Sequence, residues 1–333
     1  MSAPLRIGLA GLGIHGTRYA THLLRGEVRG AVLAAVARAD EAAGREFAAR
    51  HGIRFVGDAR DLATLPGLDA AVVVLRPDLH PPVARACVEA GRPVLVEKPL
   101  APNAASAAAL VRAVAARGTP LMVAHTLRFD PLILSLRENA PSLGPLRIVA
   151  IDQRFEPSDR SWIDRPGAGG CVLNTGVHGF DLFRFLTGAE PVSVQAETGR
   201  AVTRATEDQF AALIRMEPGE ILGIIDNART TLGRTGRVEI VGEKALLRGD
   251  HIHRSLHRIE GRAAADLGPV PAVPTVVEAL RAFVRSLRDA TPPPVTATDG
   301  LRAVEMADAA LLAARLGRRV LLDEIRGDYA NFS

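Results

Sequence analysis

Two cysteines, Cys87 and Cys171, stand in a chain of 333 residues. They lie far apart with no C-x-x-C partner, which excludes a disulfide framework and a thiolate zinc site and leaves both as packing residues. Aromatic residues make up 4% of the chain, too few for a surface on which nucleic acid bases could stack. The formal net charge of +4 comes from basic residues interleaved with acidic ones, so no basic patch for nucleic acid stands out. No stretch approaches the roughly 20 uninterrupted apolar residues that cross a bilayer. The opening residues read as a strand and turn rather than a signal peptide, so a cytoplasmic protein is expected. Lysine is scarce too: of 41 basic residues, only Lys98 and Lys244 are not arginine. A guanidinium keeps its proton whereas an ammonium can be tuned to release one. A lysine here raises the question of what an arginine could not do in its place.

Nearly half the residues are apolar, and the length suits two domains, each with its own core. Short apolar runs alternate with helical stretches at the start. Leu5–Ala10, Ala31–Ala37, Asp69–Leu75, Pro93–Val96 and Leu121–Ala124 read as strands. Continuous β-branched runs such as Ala71-Val72-Val73-Val74 suit strands covered on both faces, the mark of a parallel sheet. A doubly wound, Rossmann-type domain is therefore expected over residues 1–124. The remainder, 125–333, reads as an α/β domain with a mainly antiparallel, open-faced sheet. Its strands are Leu146–Phe155, Val192–Glu197, Asp208–Met216, Ile221–Arg229 and Val238–Leu247, and its helices are 172–186, 276–289 and 298–316. One sheet face is unusually apolar for a face without a helical cover, which favours self-association as a homodimer or homotetramer.

Leu5–Ala10 leads into Gly11-Leu12-Gly13-Ile14-His15-Gly16 and then a helical stretch. In that strand-turn-helix setting the glycines suit a dinucleotide. Gly11 permits the tight turn, Gly13 lets the backbone approach a pyrophosphate, and Gly16 allows close helix packing. The residue after the second strand discriminates between cofactors, because an acid there bonds the ribose 2′-hydroxyl and a base accepts a 2′-phosphate. That residue is Arg38, which favours NADP(H). The alternative leaves Arg38 solvated and gives the ribose to Asp40, which would suit NAD(H). Ile14, His15, Pro77, His80, Glu97 and Lys98 complete the expected cofactor contacts.

Val96-Glu97-Lys98-Pro99 closes a strand at the edge of the sheet where open α/β folds place ligands. A lysine beside an oxidised, positively charged nicotinamide has its pKa lowered and can exchange a proton with a hydroxyl. The plainer alternative is a surface lysine paired with Glu97. Further on, Asn174, His178 and Asp181 fall on one face of an expected helix, a polar stripe able to hold a polyol, with a histidine that titrates near neutrality. The plainer alternative there is a buried histidine satisfied by Asp181. His251, His253 and His257 alternate as metal ligands on a strand would, but no carboxylate or cysteine set accompanies them. They are read as exposed and structural, and no metal site is expected.

Taken together, the glycine turn, Glu97-Lys98-Pro99-Leu100, Gly176-Val177-His178 with Asp181, and the stretch from Asp299-Gly300-Leu301-Arg302 to Arg318-Arg319-Val320 resemble the Gfo/Idh/MocA oxidoreductases. The resemblance covers nearly the whole chain. It implies a Rossmann domain joined to an open-faced α/β domain, assembly as dimers or tetramers, and NAD(P)-dependent interconversion of alcohols and ketones on sugars, inositols and related polyols. It places Lys98 at the family's catalytic lysine and His178 at its histidine, and puts Arg128 in a segment that lines the substrate site. Many members carry an aspartate where this chain has Asn174. An amide can bond a hydroxyl but cannot ionise, so a relay through that position is absent and the proton work shifts toward Lys98 and His178. Two competing readings stay open on the residues alone. One is a nucleotide-binding regulator on the same fold. The other is a glycosidase or lyase using tightly held NAD.

Overall fold

The computed structural model describes residues 3–330. The chain divides into two compact units. One comprises the chain up to Thr126 together with Pro274–Leu301, the other Leu127–Val273 and the chain from Arg302 onward.

The first unit holds strands β1 (Leu5–Ala10), β2 (Ala31–Ala37), β3 (Arg54–Val56), β4 (Ala70–Val73), β5 (Val94–Glu97) and β6 (Leu121–Ala124). They form one parallel sheet in the order β3-β2-β1-β4-β5-β6. Four helices alternate with them, α1 (Ile14–Leu24), α2 (Glu41–His51), α3 (His80–Glu89) and α4 (Ala104–Arg117). β4, β5 and β6 are buried along their whole length, as strands covered on both faces must be. β3 was not foreseen, because three half-buried residues are too few to show a period.

A boundary at 124/125 would assign everything after it to the second domain, yet Pro274–Leu301 belongs to the first unit. Helix α7 (Thr275–Arg288) explains why. Its apolar stripe, Val277, Leu280, Phe283 and Val284, is buried and packs on α1 and β6. Arg281 donates to the Glu27 carbonyl at 2.8 Å and Arg288 to that of Gly30 at 2.9 Å.

In the second unit, β7 (Leu146–Arg154), β8 (Glu190–Gly199), β9 (Gln209–Glu217), β10 (Ile221–Ala228), β11 (Thr235–Gly242), β12 (Leu246–Asp250), β13 (Ser255–Glu260), β14 (Ala263–Asp266) and β15 (Val320–Leu321) form one sheet. Its order is β14-β13-β12-β11-β7-β10-β9-β8-β15. β7 and β10 run parallel, and the other neighbouring pairs are antiparallel. The single strand expected over Val238–Leu247 is a hairpin, β11 and β12. Its turn, Glu243-Lys244, carries no proline or Asn-Gly signal. Lys244 is exposed on that turn, so lysine scarcity carries chemical meaning only at Lys98.

Helices α5 (Pro131–Asn139) and α6 (Val177–Thr187) cover one face. Gly249 and Gly179 let them approach, since a Cβ there would lie 2.7 Å from Leu132 and 2.4 Å from Ile225. On the other face Leu213 and Leu222 are exposed and are flanked by interstrand ion pairs, Arg237 with Asp152 at 2.7 Å and Arg248 with Glu239 at 2.6 Å. Helices α8 (Ala297–Leu316) and α9 (Leu322–Ala330) follow. They are tied by fully buried Glu305, which accepts from Arg302, Arg326 and the Tyr329 hydroxyl.

Candidate active site

The glycine turn has the shape a dinucleotide requires. Gly11 has φ +99°, and a Cβ on it would strike the Val74 carbonyl. A Cβ on Gly16 would strike the carbonyl of Gly11, so this residue lets α1 close on the turn. Gly13 differs, because a Cβ there would meet nothing within 4 Å. Gly13 is the N-cap of α1, no side chain caps the helix, its first turn holds no acidic residue, and Ile14 beside it is exposed. An open cradle at an uncapped helix N-terminus fits a pyrophosphate. Among the expected cofactor residues, Gly11, Gly13, Ile14 and His15 thus share one turn.

The remaining cofactor candidates sit along the same sheet edge, and several are engaged with one another. His15 Nε2 lies 2.8 Å from Glu97 Oε1, the Tyr19 hydroxyl donates to the same oxygen at 2.6 Å, and the Lys98 backbone N–H donates to Oε2 at 3.0 Å. Burial alone would raise Glu97, but His15, the Lys98 ammonium and Tyr19 outweigh it and hold its pKa at about 2. Tyr19 is pushed the opposite way, by burial first and then by the carboxylate. Glu97 therefore pins α1 to the end of β5 and places an anionic charge beside half-buried Lys98. His80 spans two backbone carbonyls, with Nδ1 at 2.7 Å from that of Pro99 and Nε2 at 3.0 Å from that of Leu75. It fastens the loop after β4 to the segment after Lys98. Pro77 opens the short turn before His80 and is buried.

Arg38 follows β2 and is half-buried, with its guanidinium 3.8 Å from Asp40. Asp40 is the N-cap of α2, accepting from the Ala43 N–H at 3.1 Å.

In the second unit, the helix expected over 172–186 begins with a π turn, Val172–Gly176, and continues as α6. The uniform α spacing assumed for Asn174, His178 and Asp181 is thus interrupted between the first and the other two. The Asn174 amide donates to the Gly170 carbonyl at 3.0 Å, and His178 lies half-buried at the start of α6. Asp181 is 1% exposed and is bound bidentately by Arg128, Nε to Oδ2 at 2.8 Å and Nη2 to Oδ1 at 2.6 Å. The structure thus joins Arg128 and Asp181 in a buried pair that fastens α6.

The three histidines of the sequence pattern do not form one cluster. The His251 ring lies over Gly236, where a Cβ would come within 2.1 Å of Nε2, so His251 is packed rather than exposed. His253 bonds the Arg234 carbonyl, and His257 lies on β13. Among the described residues no group of three metal-ligating side chains occurs.

Three residues escaped the sequence reading. Gln153 and Asn227 are register partners on β7 and β10, and each is 1% exposed. Gln153 Oε1 and both polar atoms of the Asn227 amide are buried without a hydrogen-bond partner among the described residues. Phe210, the register partner of Asn227, packs against Gly176 so closely that a Cβ there would come within 2.8 Å of the ring. The amides therefore lie on the covered sheet face, in the strand row that meets the π turn. The available signal was parity: in Val149-Ala150-Ile151-Asp152-Gln153 and Gly223-Ile224-Ile225-Asp226-Asn227 a polar residue occupies the apolar phase of the strand. The third residue, Arg229, follows β10, and its guanidinium reaches Thr175 on the same π turn at 3.5 Å.

Residues 5–125 match the family described as an oxidoreductase family with an NAD-binding Rossmann fold, and 139–322 match its C-terminal alpha/beta domain. The chain belongs to the Gfo/Idh/MocA oxidoreductase family. As a member it is an oxidoreductase with an NAD(P)-binding Rossmann domain. Among relatives, inositol 2-dehydrogenase 1 of Saccharopolyspora erythraea is 32% identical over 248 residues, 72% of each chain. Myo-inositol 2-dehydrogenase of Thermotoga maritima is 27% identical over 97% of this chain and 100% of its own. The solved structure of an oxidoreductase domain protein from Kribbella flavida has the same fold, with a TM-score of 0.88 at 22% identity over 96% of this chain and 100% of that one. No helix among the described residues is long and apolar enough to cross a membrane.

Proposed function

We propose that this oxidoreductase interconverts an alcohol and a ketone on a sugar, an inositol or a related polyol, using NADP(H) in preference to NAD(H). The observation that carries this reading is the shared edge of the parallel sheet. The glycine turn after β1 and Lys98 after β5 both leave the C-terminal ends of strands in one sheet, where open α/β folds bind ligands. The inositol dehydrogenase relatives support a polyol as substrate.

When bound, the nicotinamide supplies the hydride chemistry. Lys98 exchanges the proton of the substrate hydroxyl, and the neighbouring carboxylate of Glu97 keeps that ammonium's surroundings polar and ordered. His178 positions or shares the proton. Asn174 bonds a hydroxyl without ionising, and Gln153 and Asn227 offer further amide partners. The Arg128–Asp181 pair holds the helix bearing His178 in place. The first unit serves the nucleotide, and the second serves the substrate and self-association, with the exposed Leu213 and Leu222 face as the contact of a homodimer or homotetramer.

NADP(H) is favoured because Arg38, directly after β2, offers a guanidinium for the 2′-phosphate, while Asp40, the alternative ribose ligand, has one carboxylate oxygen engaged in capping α2. Replacing Lys98→Ala is expected to lower turnover by about 10²–10⁴-fold with NADPH still bound, as read from nicotinamide fluorescence. Wild-type turnover in that variant overturns the assignment of Lys98. Arg38→Asp is expected to weaken NADPH by about 10–100-fold, the worth of a charge-assisted contact, and NADH far less. Equal losses would remove Arg38 as the discriminator.

A further inference from the structure

Buried and half-buried guanidinium groups in the second unit generally have a carboxylate: Arg128 has Asp181, Arg154 has Asp226 and Arg254 has Asp130. Arg229 has none within ion-pair distance among the described residues, and its Nε is sealed from solvent without a partner. Its polar contact is the long one to the Thr175 hydroxyl, on the π turn that carries Asn174. The flat face of Arg229 lies 5.6 Å from the centre of the Phe155 ring, and Arg234 stacks on the same ring at 5.2 Å. Burial lowers the Arg229 pKa from its ordinary value, and the nearby charges of Arg160 and Arg234 push the same way, against Cys171 and Glu156. Arg160 is exposed on the loop after β7, and Arg234 reaches Glu156 at 4.0 Å. A desolvated cation crowded by like charges is costly unless an anion joins it.

We propose that Arg229, assisted by Arg160 and Arg234, is an anion subsite, so that the polyol this enzyme oxidises or forms carries an oxyanion group, a carboxylate or a phosphate. The inference rests on the polyol oxidoreductase reading and narrows its substrate class. A planar guanidinium with free donors suits both groups, and an uncharged inositol or sugar would leave it unmatched.

The test compares D-glucose, D-glucuronate and D-glucose 6-phosphate as substrates of the full-length enzyme with NADP(H). One anion is expected to exceed the neutral sugar in kcat/KM by about 10–100-fold, and which one does so separates carboxylate from phosphate. In Arg229→Gln that ratio is expected to collapse toward one, with partial recovery in Arg229→Lys. Arg160→Gln, on the surface, is expected to lower the ratio less, and Arg60→Gln not at all. Equal use of all three sugars, or an unchanged ratio in a folded Arg229→Gln, overturns the proposal.

If none of the three is turned over, a second readout still decides it. Trp162, the single tryptophan, lies two residues beyond Arg160, and its fluorescence can be followed during titration with inorganic phosphate and with D-glucuronate. A saturable change with either ligand that is lost in Arg229→Gln supports the subsite even though the reaction assignment has failed. No change with either ligand overturns it.

Discussion

At the sheet edge of the first unit the polar groups are arranged as a closed set. Glu97 is bonded by His15, Tyr19 and the Lys98 N–H, and His80 is spent on two carbonyls. The second unit's covered sheet face holds Gln153 and Asn227 with amide atoms unmatched, and Arg229 stands nearby with no carboxylate at ion-pair distance among the described residues. Buried polar groups are costly unless hydrogen-bonded, so the difference marks two kinds of site. The first is a bonded frame beside the open Gly13 cradle, the arrangement expected, on the proposed function, for a cofactor whose shape does not vary. The second leaves hydrogen-bonding capacity that, on the proposed function, a polyol ligand would take up.

The comparison can be broken at its strongest joint. Arg128→Ala removes both guanidinium bonds to the Asp181 carboxylate, which is 1% exposed, and is expected to cost about 3–5 kcal/mol of stability, read from denaturant unfolding. A stable Arg128→Ala protein with a raised KM would move the pair from the frame of the second unit into its ligand site. In the glycine turn, Gly16→Ala drives a methyl into the Gly11 carbonyl and is expected to cost about 1–3 kcal/mol. Gly13→Ala projects into open space, so its stability should change by no more than about 0.5 kcal/mol while NADPH affinity falls. Loss of stability in both variants would mean that Gly13 serves the turn and not a ligand.

The acid limb of stability offers a finer test. Glu97 has its pKa held at about 2 in the fold against an ordinary value of 4.5. Its contribution is therefore complete above the unfolded value and is lost as pH falls from about 4.5 toward about 2. Glu97→Gln should lower stability at neutral pH and flatten the decline over that window, measured by thermal unfolding at a series of pH values. An unchanged slope would show that the His15 and Tyr19 contacts contribute nothing to folding.

Local signals were strong where a residue's role depends on its immediate neighbours. β1, β2 and β6 were legible to the residue, because short, mainly apolar runs bounded by turn signals suit strands that are largely covered. The glycine turn was legible for a similar reason, since positive φ and close approach are demands that only glycine meets. Signals failed where a partner far along the chain decides the outcome. Asp181 reads as one member of a polar helix stripe until Arg128 is found against it. The hairpin at Glu243-Lys244 was invisible because pairing of β11 with β12 stabilises a turn that carries no turn residues of its own. His251 read as exposed because nothing in its neighbourhood shows that Gly236 makes room for its ring.

The sequence by itself determined the two-part architecture, the dinucleotide turn, the candidate chemistry of Lys98 and His178, and membership of an oxidoreductase family, since each rests on residue types at short, fixed spacings. Only the tertiary structure decided that Glu97 stays ionised among His15, Tyr19 and Lys98, that α7 returns to the first unit, and that Arg229 has no counter-ion among the described residues. The physical reason is common to all three. Burial and charge pairing depend on what folding brings near, and strand pairing places residues such as Gln153, Asn227 and Gly236 side by side although they lie far apart along the chain.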